Sequence, residues 1–264
     1  MIVKEFIRPD SVEEAVQLLK SRNHRLVGGT HWLKQGSQIM NAVSLDRLNL
    51  SFIEESDQEF HIGGTTSLRE MERHPSILRD YPHIAAAYQH IAGVQLRNTA
   101  TIGASVYSRF GFSDTVSTLL LLDTEIELNG TEKISLENYL EQDRTKKIVT
   151  GISIKKKKTD IAYYAIRKSA MDLPYFILGI AKQGNSYKVV CAARPQGPIV
   201  LKRTGALLEG RNAQNMPMEG DEFQLILEQL ISEAKIKGNA SASQEYREHL
   251  AKKLLKRGWE SVCR

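Results

Sequence analysis

The chain has 264 residues, 41% of them hydrophobic and 25% charged, which is typical of a folded globular protein and not of a disordered or fibrous one. Its net charge of +5 lies largely in two basic runs, 155–158 and 252–257. Because neither run carries the interleaved aromatic residues of a base-stacking surface, we expect no nucleic-acid partner.

The cysteine content and the length of the apolar runs indicate which metal sites and which cellular compartment are compatible with the sequence. Cys191 and Cys263 are the only cysteines, too few for an iron–sulfur cluster or a four-cysteine zinc site, so we expect no metal ligands in this chain. No apolar run approaches the roughly 20 residues that span a bilayer, and the first ten residues lack the apolar core of a signal peptide. These features predict a cytoplasmic protein with no membrane partner and no disulfide.

Two strands and a helix are predicted at the N-terminal end. A strand at Val3–Ile7 precedes a helix whose start is indicated by Ser11 and Glu14 at capping-box spacing. A second strand at 25–27 then runs into a loop, 28–33, with the sequence GGTHWL. Two glycines and a hydroxyl allow a ligand to approach the backbone with no Cβ in the way. The chain has neither the glycine pattern of a Rossmann dinucleotide fold nor the phosphate loop of nucleoside triphosphatases.

The next predicted elements are a strand at 59–63, a structural turn at Gly63-Gly64, a helix capped by Ser67 and Glu70, and a helix at 84–91. A second candidate ligand loop follows them at 99–105. In it, Thr99–Ile102 alternates hydroxyl and apolar residues as a strand does, and small residues at 103–105 then remove side-chain bulk. Consecutive N–H groups at such a strand end can form an anion-binding concavity; an ordinary turn is the alternative.

The remainder predicts a helix at 116–122, a strand at 124–128 and a hairpin turn at Asn129-Gly130. A separate module of about 100 residues begins after 159. It contains strands at 162–167 and 187–193, a helix or strand at 174–181, and two closing helices. The first helix has a single apolar face from Phe223 to Ala234, and the second is predicted to start at Ser241.

Taken together, these motifs resemble the FAD-binding medium subunits of the molybdenum hydroxylases, such as those of xanthine dehydrogenase, carbon monoxide dehydrogenase and nicotinate dehydrogenase type enzymes. The order and spacing of the motifs agree with those of the family over nearly the whole chain. The matching stretches are F-x-R-P-x-S-x-x-E-A at 6–15, the Gly-Gly loop at 27–33, R-N-x-A-T-I-G-G at 97–104, S-D through L-D-A-E-V-E-L at 113–128, Y-x-x-x-R-K at 163–168 with its end at Asp172, and Y-R at 246–247.

The resemblance implies an α+β chain with an FAD-binding fold of the vanillyl-alcohol-oxidase (PCMH) type. Its two α/β subdomains would be 1–55 and 56–158, followed by a C-terminal α+β domain, 159–264, of the CO dehydrogenase flavoprotein type. It also implies an electron-transfer subunit of a heterotrimer. The partners would be a molybdopterin-binding large subunit and a [2Fe–2S] small subunit, with NAD or another molecule as electron acceptor.

The same resemblance implies which residues bind FAD. One wall of the pyrophosphate site consists of Val27, Gly28, Gly29, Thr30, His31, Trp32 and Leu33. The other wall consists of Thr101, Ile102, Gly103, Ala104 and Ser105. Asp114 would accept a hydrogen bond from the cofactor or cap the helix that follows it, and Ile152 and Lys168 would lie toward the isoalloxazine end. No residue is assigned as catalytic, because the flavin itself carries the electrons.

Two positions depart from the family pattern. Ala104 replaces the second glycine of T-I-G-G; a positive φ there would cost about 1–2 kcal/mol, whereas a negative φ leaves only a methyl group beside the phosphate. Trp32 is either a core anchor or a flavin-stacking residue. Two other functions therefore stay open. One is a structural or assembly subunit that has lost or weakened flavin binding, and the other is a free-standing flavin oxidase, for which the sequence shows no catalytic base.

Overall fold

The computed structural model describes residues 3–28, 38–212, 216–217 and 220–263. In this part of the chain the strands are β1 (Val3–Ile7), β2 (His24–Val27), β3 (Ile39–Ser44), β4 (Ile53–Glu55), β5 (Glu59–Gly63), β6 (Thr124–Leu128), β7 (Glu132–Ser135), β8 (Val149–Lys155), β9 (Asp160–Ile166), β10 (Phe176–Gln183), β11 (Ser186–Ala192) and β12 (Ile199–Val200).

The helices in the same described ranges are α1 (Val12–Leu19), α2 (Leu68–Arg73), α3 (Pro75–Asp80), α4 (Pro82–Tyr88), α5 (Val94–Arg97), α6 (Ile102–Ser108), α7 (Asp114–Leu120), α8 (Leu136–Glu141), α9 (Lys202–Leu208), α10 (Asp221–Ala234) and α11 (Gln244–Val262). None of them combines the length and the hydrophobicity needed to cross a bilayer.

The chain divides into two compact units. The first comprises Met1–Asp80, Ala92–Ser108 and Thr124–Lys156. It contains a parallel sheet in the order β1-β3-β2 and an antiparallel sheet in the order β4-β5-β8-β6-β7. Val27 is the last residue of β2 and pairs with Ser44 at the end of β3. Gly28 therefore follows the carboxyl end of a parallel strand, the edge at which open sheets of this kind bind ligands.

Glycines let three backbone segments of the first unit lie against one another. A Cβ on Gly63 would be 2.1 Å from the Leu50 carbonyl oxygen, and one on Gly64 would be 2.2 Å from the Val149 carbonyl oxygen. The prediction of a structural turn at Gly63-Gly64 is confirmed. Gly103 in α6 packs directly on this turn, because a Cβ there would be 2.6 Å from the Gly64 oxygen.

The second unit comprises Tyr81–Ile91, Arg109–Asp123 and Lys157–Arg264. Its antiparallel sheet has the order β12-β11-β10-β9, and α10 and α11 contribute to the hydrophobic core beside it. The predicted apolar face of α10 is confirmed, because Phe223, Leu230 and Ala234 are buried in this core. Every residue of α7 is also buried. The segment 174–181, left open between helix and strand, lies largely in β10.

Several local predictions are confirmed and others are wrong. Ser67 and Glu70 form the predicted capping box at the start of α2. The hairpin at Asn129-Gly130 joins β6 to β7, and both residues take positive φ. The N-cap of α11 is Ser243 and not Ser241, because the Ser243 side chain accepts the N–H of Tyr246.

The predicted strand at Thr99–Ile102 is wrong. Thr101 makes a single antiparallel bridge with Ser67, and Ile102 already belongs to α6. Alternation of hydroxyl and apolar residues indicates a strand only when a partner strand continues the ladder. Here the N–H of Leu68 and the N–H of Ile102 form the hydrogen bonds on either side of the bridge, to the oxygens of Ala100 and Thr66, and pairing stops there.

Candidate functional site

The two loops predicted to bind the pyrophosphate lie side by side in the first unit. A Cβ on Gly28 would be 3.5 Å from the Cβ of Ala104 and 3.6 Å from Oγ1 of Thr101. These are ordinary van der Waals distances. A methyl group on Gly28 would therefore just touch Ala104 and Thr101 at the start of α6. A side chain larger than methyl at position 28 would occupy this space.

The N–H groups of the second loop are used differently from the prediction. Ile102 and Gly103 donate theirs to the carbonyl oxygens of Thr66 and Gly64, each at 2.9 Å. The predicted concavity of consecutive free N–H groups is therefore wrong, because this segment docks on the turn at 64–67. Ala104 donates to Oγ1 of Thr101 at 3.3 Å, a long bond that a ligand acceptor can replace.

One N–H group of the second loop remains for a ligand. The described residues provide no acceptor for the N–H of Thr101, whereas the N–H of Ser105 is donated to the Thr101 oxygen at 3.0 Å. The hydroxyl of Ser105 also donates to that oxygen, at 2.8 Å. The groups free to hold an anion at this loop are thus the Thr101 N–H and the weakly held Ala104 N–H.

Ala104 has none of the strain that a positive φ would impose. It lies in α6, is exposed, and does not belong to the non-glycine residues with positive φ. Its methyl group therefore only narrows the space next to Gly28, which is the second of the two outcomes considered for this substitution.

The other predicted site residues have different surroundings. Asp114 is the first residue of α7, but Ser113 is the N-cap, since its side chain accepts the N–H of Val116. The alternative of Asp114 as the cap is wrong. Ile152 lies in the middle of β8, paired with β5 and β6, and none of its surface is exposed, so the structure leaves its side chain no surface for a cofactor. Lys168 is exposed just beyond β9.

Five predicted residues of the first loop lie outside the described residues: Gly29, Thr30, His31, Trp32 and Leu33. Their assignments stay predictions, as does the choice between core anchor and flavin stacking for Trp32.

Two contacts of Asp114 were not predicted from the sequence. Its Oδ1 accepts the hydroxyl of Tyr163 at 2.7 Å and the Nη2 of Arg167. Burial raises the pKa of Tyr163 well above its usual value, and the nearby Asp114 charge raises it further, so the phenol stays a donor. The spacing of Tyr163 and Arg167 in the sequence indicates that they share one face, because residues four apart on or just beyond a strand point to the same side of the sheet.

Comparison with known proteins defines the class. Residues 3–156 match a family model described as the FAD binding domain in molybdopterin dehydrogenase, and residues 154–262 match the CO dehydrogenase flavoprotein C-terminal domain. The first match alone covers more than half of the chain. The chain therefore belongs to the FAD-binding subunits of the molybdenum hydroxylase family, whose cofactor is FAD. The recognition made from the sequence motifs is confirmed.

Two relatives from Escherichia coli K12 are similar to the chain. The uncharacterized protein YgfM of Escherichia coli K12 is 30% identical over 152 residues, which cover 53% of this chain and 54% of YgfM. The chain thus spans about half the length of that relative. The putative xanthine dehydrogenase FAD-binding subunit XdhB of the same strain is 25% identical over 219 residues, 76% of this chain and 73% of XdhB.

A solved structure agrees with the fold. Carbon monoxide dehydrogenase from Hydrogenophaga pseudoflava, in a form lacking the Mo-pyranopterin moiety, has a chain that superposes with a TM-score of 0.86 at 19% identity. The match covers 98% of this chain and 96% of that one. At this identity the likeness shows the fold alone, and the predicted fold is confirmed.

The described residues fit the pyrophosphate of FAD at one point. Gly28 keeps the space beside Thr101 clear, and the Thr101 N–H points to no acceptor in the described part of the chain. Backbone N–H groups next to a glycine bind phosphate without a cationic side chain. Thr101, Gly28 and Ala104 are therefore the residues that would hold the cofactor here.

Proposed function

We propose that this chain is the FAD-binding electron-transfer subunit of a xanthine dehydrogenase-like molybdenum hydroxylase. Electrons would come from iron–sulfur clusters on a partner chain and leave to NAD or another acceptor. The complex would be a cytoplasmic heterotrimer with a molybdopterin-binding large subunit and a [2Fe–2S] small subunit. Within this chain, 1–55 and 56–158 would be the FAD-binding subdomains and 159–264 the C-terminal domain.

The observation that carries the proposal is the position of Gly28 beside Thr101 and Ala104. The two segments are more than 70 residues apart in the sequence, and the family resemblance assigns both to the pyrophosphate of FAD. When bound, FAD would accept two electrons and release them again. The residues of this chain bind and orient it, and none is assigned to proton transfer.

The proposed cofactor site comprises the residues inferred from the resemblance except Ile152, whose side chain is fully buried in β8, with the Thr101 N–H as the main phosphate donor. Ala104 contributes its N–H when a ligand replaces the long bond to Oγ1 of Thr101. Asp114 and Lys168 remain in the proposed set, Asp114 as a hydrogen-bond acceptor and Lys168 as a positive charge that favours reduced, anionic flavin.

The first test is FAD binding by the purified full chain. We expect the wild type to bind FAD and to show the visible absorbance of a flavin. Gly28→Leu should raise the Kd for FAD by about tenfold or more, since the side chain fills the space next to Thr101. Isothermal titration of the apoprotein with FAD measures this change.

Gly197→Leu is the matched control, because no atom lies within 4 Å of a Cβ on Gly197. Its Kd for FAD should equal that of the wild type. A wild-type chain that takes up no FAD would contradict the proposal.

One observation favours a second candidate function. The N–H groups of Ile102 and Gly103 are held inside the protein, so fewer donors remain for a pyrophosphate than the loop sequence predicts. A structural subunit that no longer holds flavin would fit this arrangement. Purification from the native host separates the two: a yellow complex containing molybdenum and iron supports the electron-transfer subunit, and a complex with the same metals but no flavin on this chain supports the structural one.

A further inference from the structure

Arg97, the first residue of the R-N-x-A-T-I-G-G motif, is a nearly buried cation of the first unit. Only 5% of the residue is exposed. Its Nε donates to Oε2 of Glu72 at 2.8 Å, and its Nη1 donates to the backbone oxygen of Ala92 at 2.8 Å. Glu72 belongs to α2 and Arg97 is the last residue of α5. The ion pair therefore joins α2 to the helix that ends four residues before Thr101.

Burial makes this ion pair a firm attachment. The side chains of Arg97 and Glu72 are 6% and 11% exposed. The other carboxylate oxygen of Glu72, Oε1, accepts Nη1 of Arg69 at 2.6 Å, so both oxygens are held. Separation of Arg97 from Glu72 would leave charges in a place with little water, which is strongly unfavourable. The pair thus fixes the distance between α2 and the end of α5.

A second attachment joins the same two parts of the chain next to Thr101. The N–H of Leu68, the first residue of α2, donates to the oxygen of Ala100 at 2.9 Å. Ala100 is in turn held to α5, because its N–H donates to the Leu96 oxygen at 2.8 Å. Leu68 lies four residues before Glu72, so both attachments are on one face of α2. With two attachments on one face, the segment before Thr101 cannot pivot about either of them.

The bridge between Ser67 and Thr101 determines where the Thr101 N–H points. Its two hydrogen bonds use the neighbours of Thr101, the Ala100 oxygen and the Ile102 N–H, so Ser67 and Thr101 form a non-hydrogen-bonded pair. In such a pair the N–H and the oxygen of each residue point away from the partner strand. The Thr101 oxygen accordingly accepts the N–H of Ser105 on the far side. Any rotation of this segment relative to α2 would redirect the free N–H of Thr101.

We propose that Arg97 and Glu72 are positioning residues, whose ion pair holds Thr101 so that its N–H points toward the pyrophosphate of FAD. The two side chains act through the backbone and not by contact with the cofactor. A donor that is already oriented loses little freedom when the ligand binds, and affinity rises accordingly. The inference rests on the proposed function, because it takes FAD as the ligand and the Thr101 N–H as a phosphate donor.

FAD titration of variants of the full chain is the first test. Arg97→Met removes the ion pair while filling much of the same volume, and should raise the Kd for FAD about fivefold to tenfold. Arg97→Lys keeps the charge but cannot donate to Glu72 and Ala92 together, so its Kd should lie between those of the wild type and Arg97→Met. Isothermal titration at a temperature at which every variant is folded measures these values.

Nuclear magnetic resonance of the Thr101 amide is the second readout. In an isotope-labelled full chain, saturating FAD should shift the Thr101 amide proton downfield in the wild type, because a phosphate oxygen becomes its acceptor. The shift at saturation should be smaller in Arg97→Met, in which the N–H is no longer aimed at the phosphate. A purely structural role would lower the melting temperature of Arg97→Met but leave this shift and the Kd of the folded chain unchanged.

Lys156→Met is the matched control. Lys156 makes a partly buried ion pair of the same unit, with Glu55 at 2.5 Å, and the side chains are 20% and 31% exposed. It follows the end of β8 that is opposite to Val149, and it is Val149 that lies against Gly103 at the start of α6. Loss of this pair should lower the melting temperature but leave the Kd for FAD and the Thr101 amide shift as in the wild type.

The outcomes separate this inference from the proposed function. A wild-type chain that takes up no FAD overturns both. A wild type that binds FAD without a shift of the Thr101 amide overturns the inference alone, as does an Arg97→Met variant that matches Lys156→Met in Kd and amide shift. A raised Kd with a reduced shift in Arg97→Met supports it. If Arg97→Met does not fold, Glu72→Gln replaces it, since glutamine keeps the volume but loses the charge, and its Kd should still exceed that of Lys156→Met.

Discussion

Replacing Gly103 by alanine is expected to destabilise the first unit by about 2–4 kcal/mol. The new methyl group would lie 2.6 Å from the Gly64 oxygen and 3.0 Å from the Val149 oxygen. Both are backbone atoms, so neither can move without displacing the turn at Gly64 or the first residue of β8. Urea denaturation of the full chain, with hydrogen exchange of α6 and β8 as the local readout, measures the effect.

The same contacts predict an effect on FAD binding. Relief of the Gly103 clash shifts the start of α6, and with it Thr101 and Ala104, away from their positions beside Gly28. The folded fraction of Gly103→Ala should therefore bind FAD more weakly than the wild type.

Two controls separate the clash from other effects at position 103. Gly197→Ala makes the same chemical change where no atom lies within 4 Å, and it should alter the free energy of unfolding by about 0.5 kcal/mol or less. Ala104→Gly alters the neighbouring residue without adding a group, and should cost less than about 1 kcal/mol as a helix substitution. Equal stability of Gly103→Ala and Gly197→Ala would contradict the close packing of α6 on the turn.

Replacing Arg247 by methionine is expected to destabilise the second unit by about 3–5 kcal/mol. Arg247 is 2% exposed and donates to the oxygens of Tyr175, Lys237 and Ala242 at 2.8, 3.0 and 2.7 Å, and to Oδ1 of Asn239 at 2.8 Å. Methionine fills part of the volume but donates to none of them, so four partly buried hydrogen bonds are lost. Thermal unfolding followed by circular dichroism measures the change.

Arg257→Met is the control on the same helix. Arg257 is exposed and lies over the ring of Tyr164 at 5.3 Å, so its loss should cost about 1 kcal/mol or less. If Arg247→Met and Arg257→Met have equal melting temperatures, the network around Arg247 does not hold the end of the loop before β10 to the start of α11.

The Y-R pair at 246–247 shows how much of the structure a sequence motif alone can predict. The motif served as one element of the family resemblance, and it indicated a helix. It did not indicate that the arginine binds backbone oxygens from two separate segments, the one before β10 and the loop between α10 and α11. Those oxygens belong to residues that no pattern within α11 identifies, and only the packing of the chain brings them to one guanidinium.

The candidate FAD site was predictable to a similar extent. The sequence selected Gly28 and Thr101 to Ala104, and the structure places these segments in contact. It could not predict which N–H groups of the second loop are free, because the acceptors are the oxygens of Thr66 and Gly64 in another turn. The partners of Asp114 come from β9 and the residue just beyond it, about 50 residues later in the chain, and they were not predictable for the same reason.

By itself, the sequence determined the features that depend on near neighbours. The capping box at Ser67 and Glu70, the hairpin at Asn129-Gly130 and the apolar face of α10 were all predicted correctly, because their interactions join residues a few positions apart. The tertiary structure decided the rest. It determined that Thr99–Ile102 is a single bridge followed by a helix, that Ala104 is unstrained, and that Oδ1 of Asp114 accepts hydrogen bonds from Tyr163 and Arg167. Each of these depends on which distant atoms come within hydrogen-bonding distance, and that is determined only when the chain is packed.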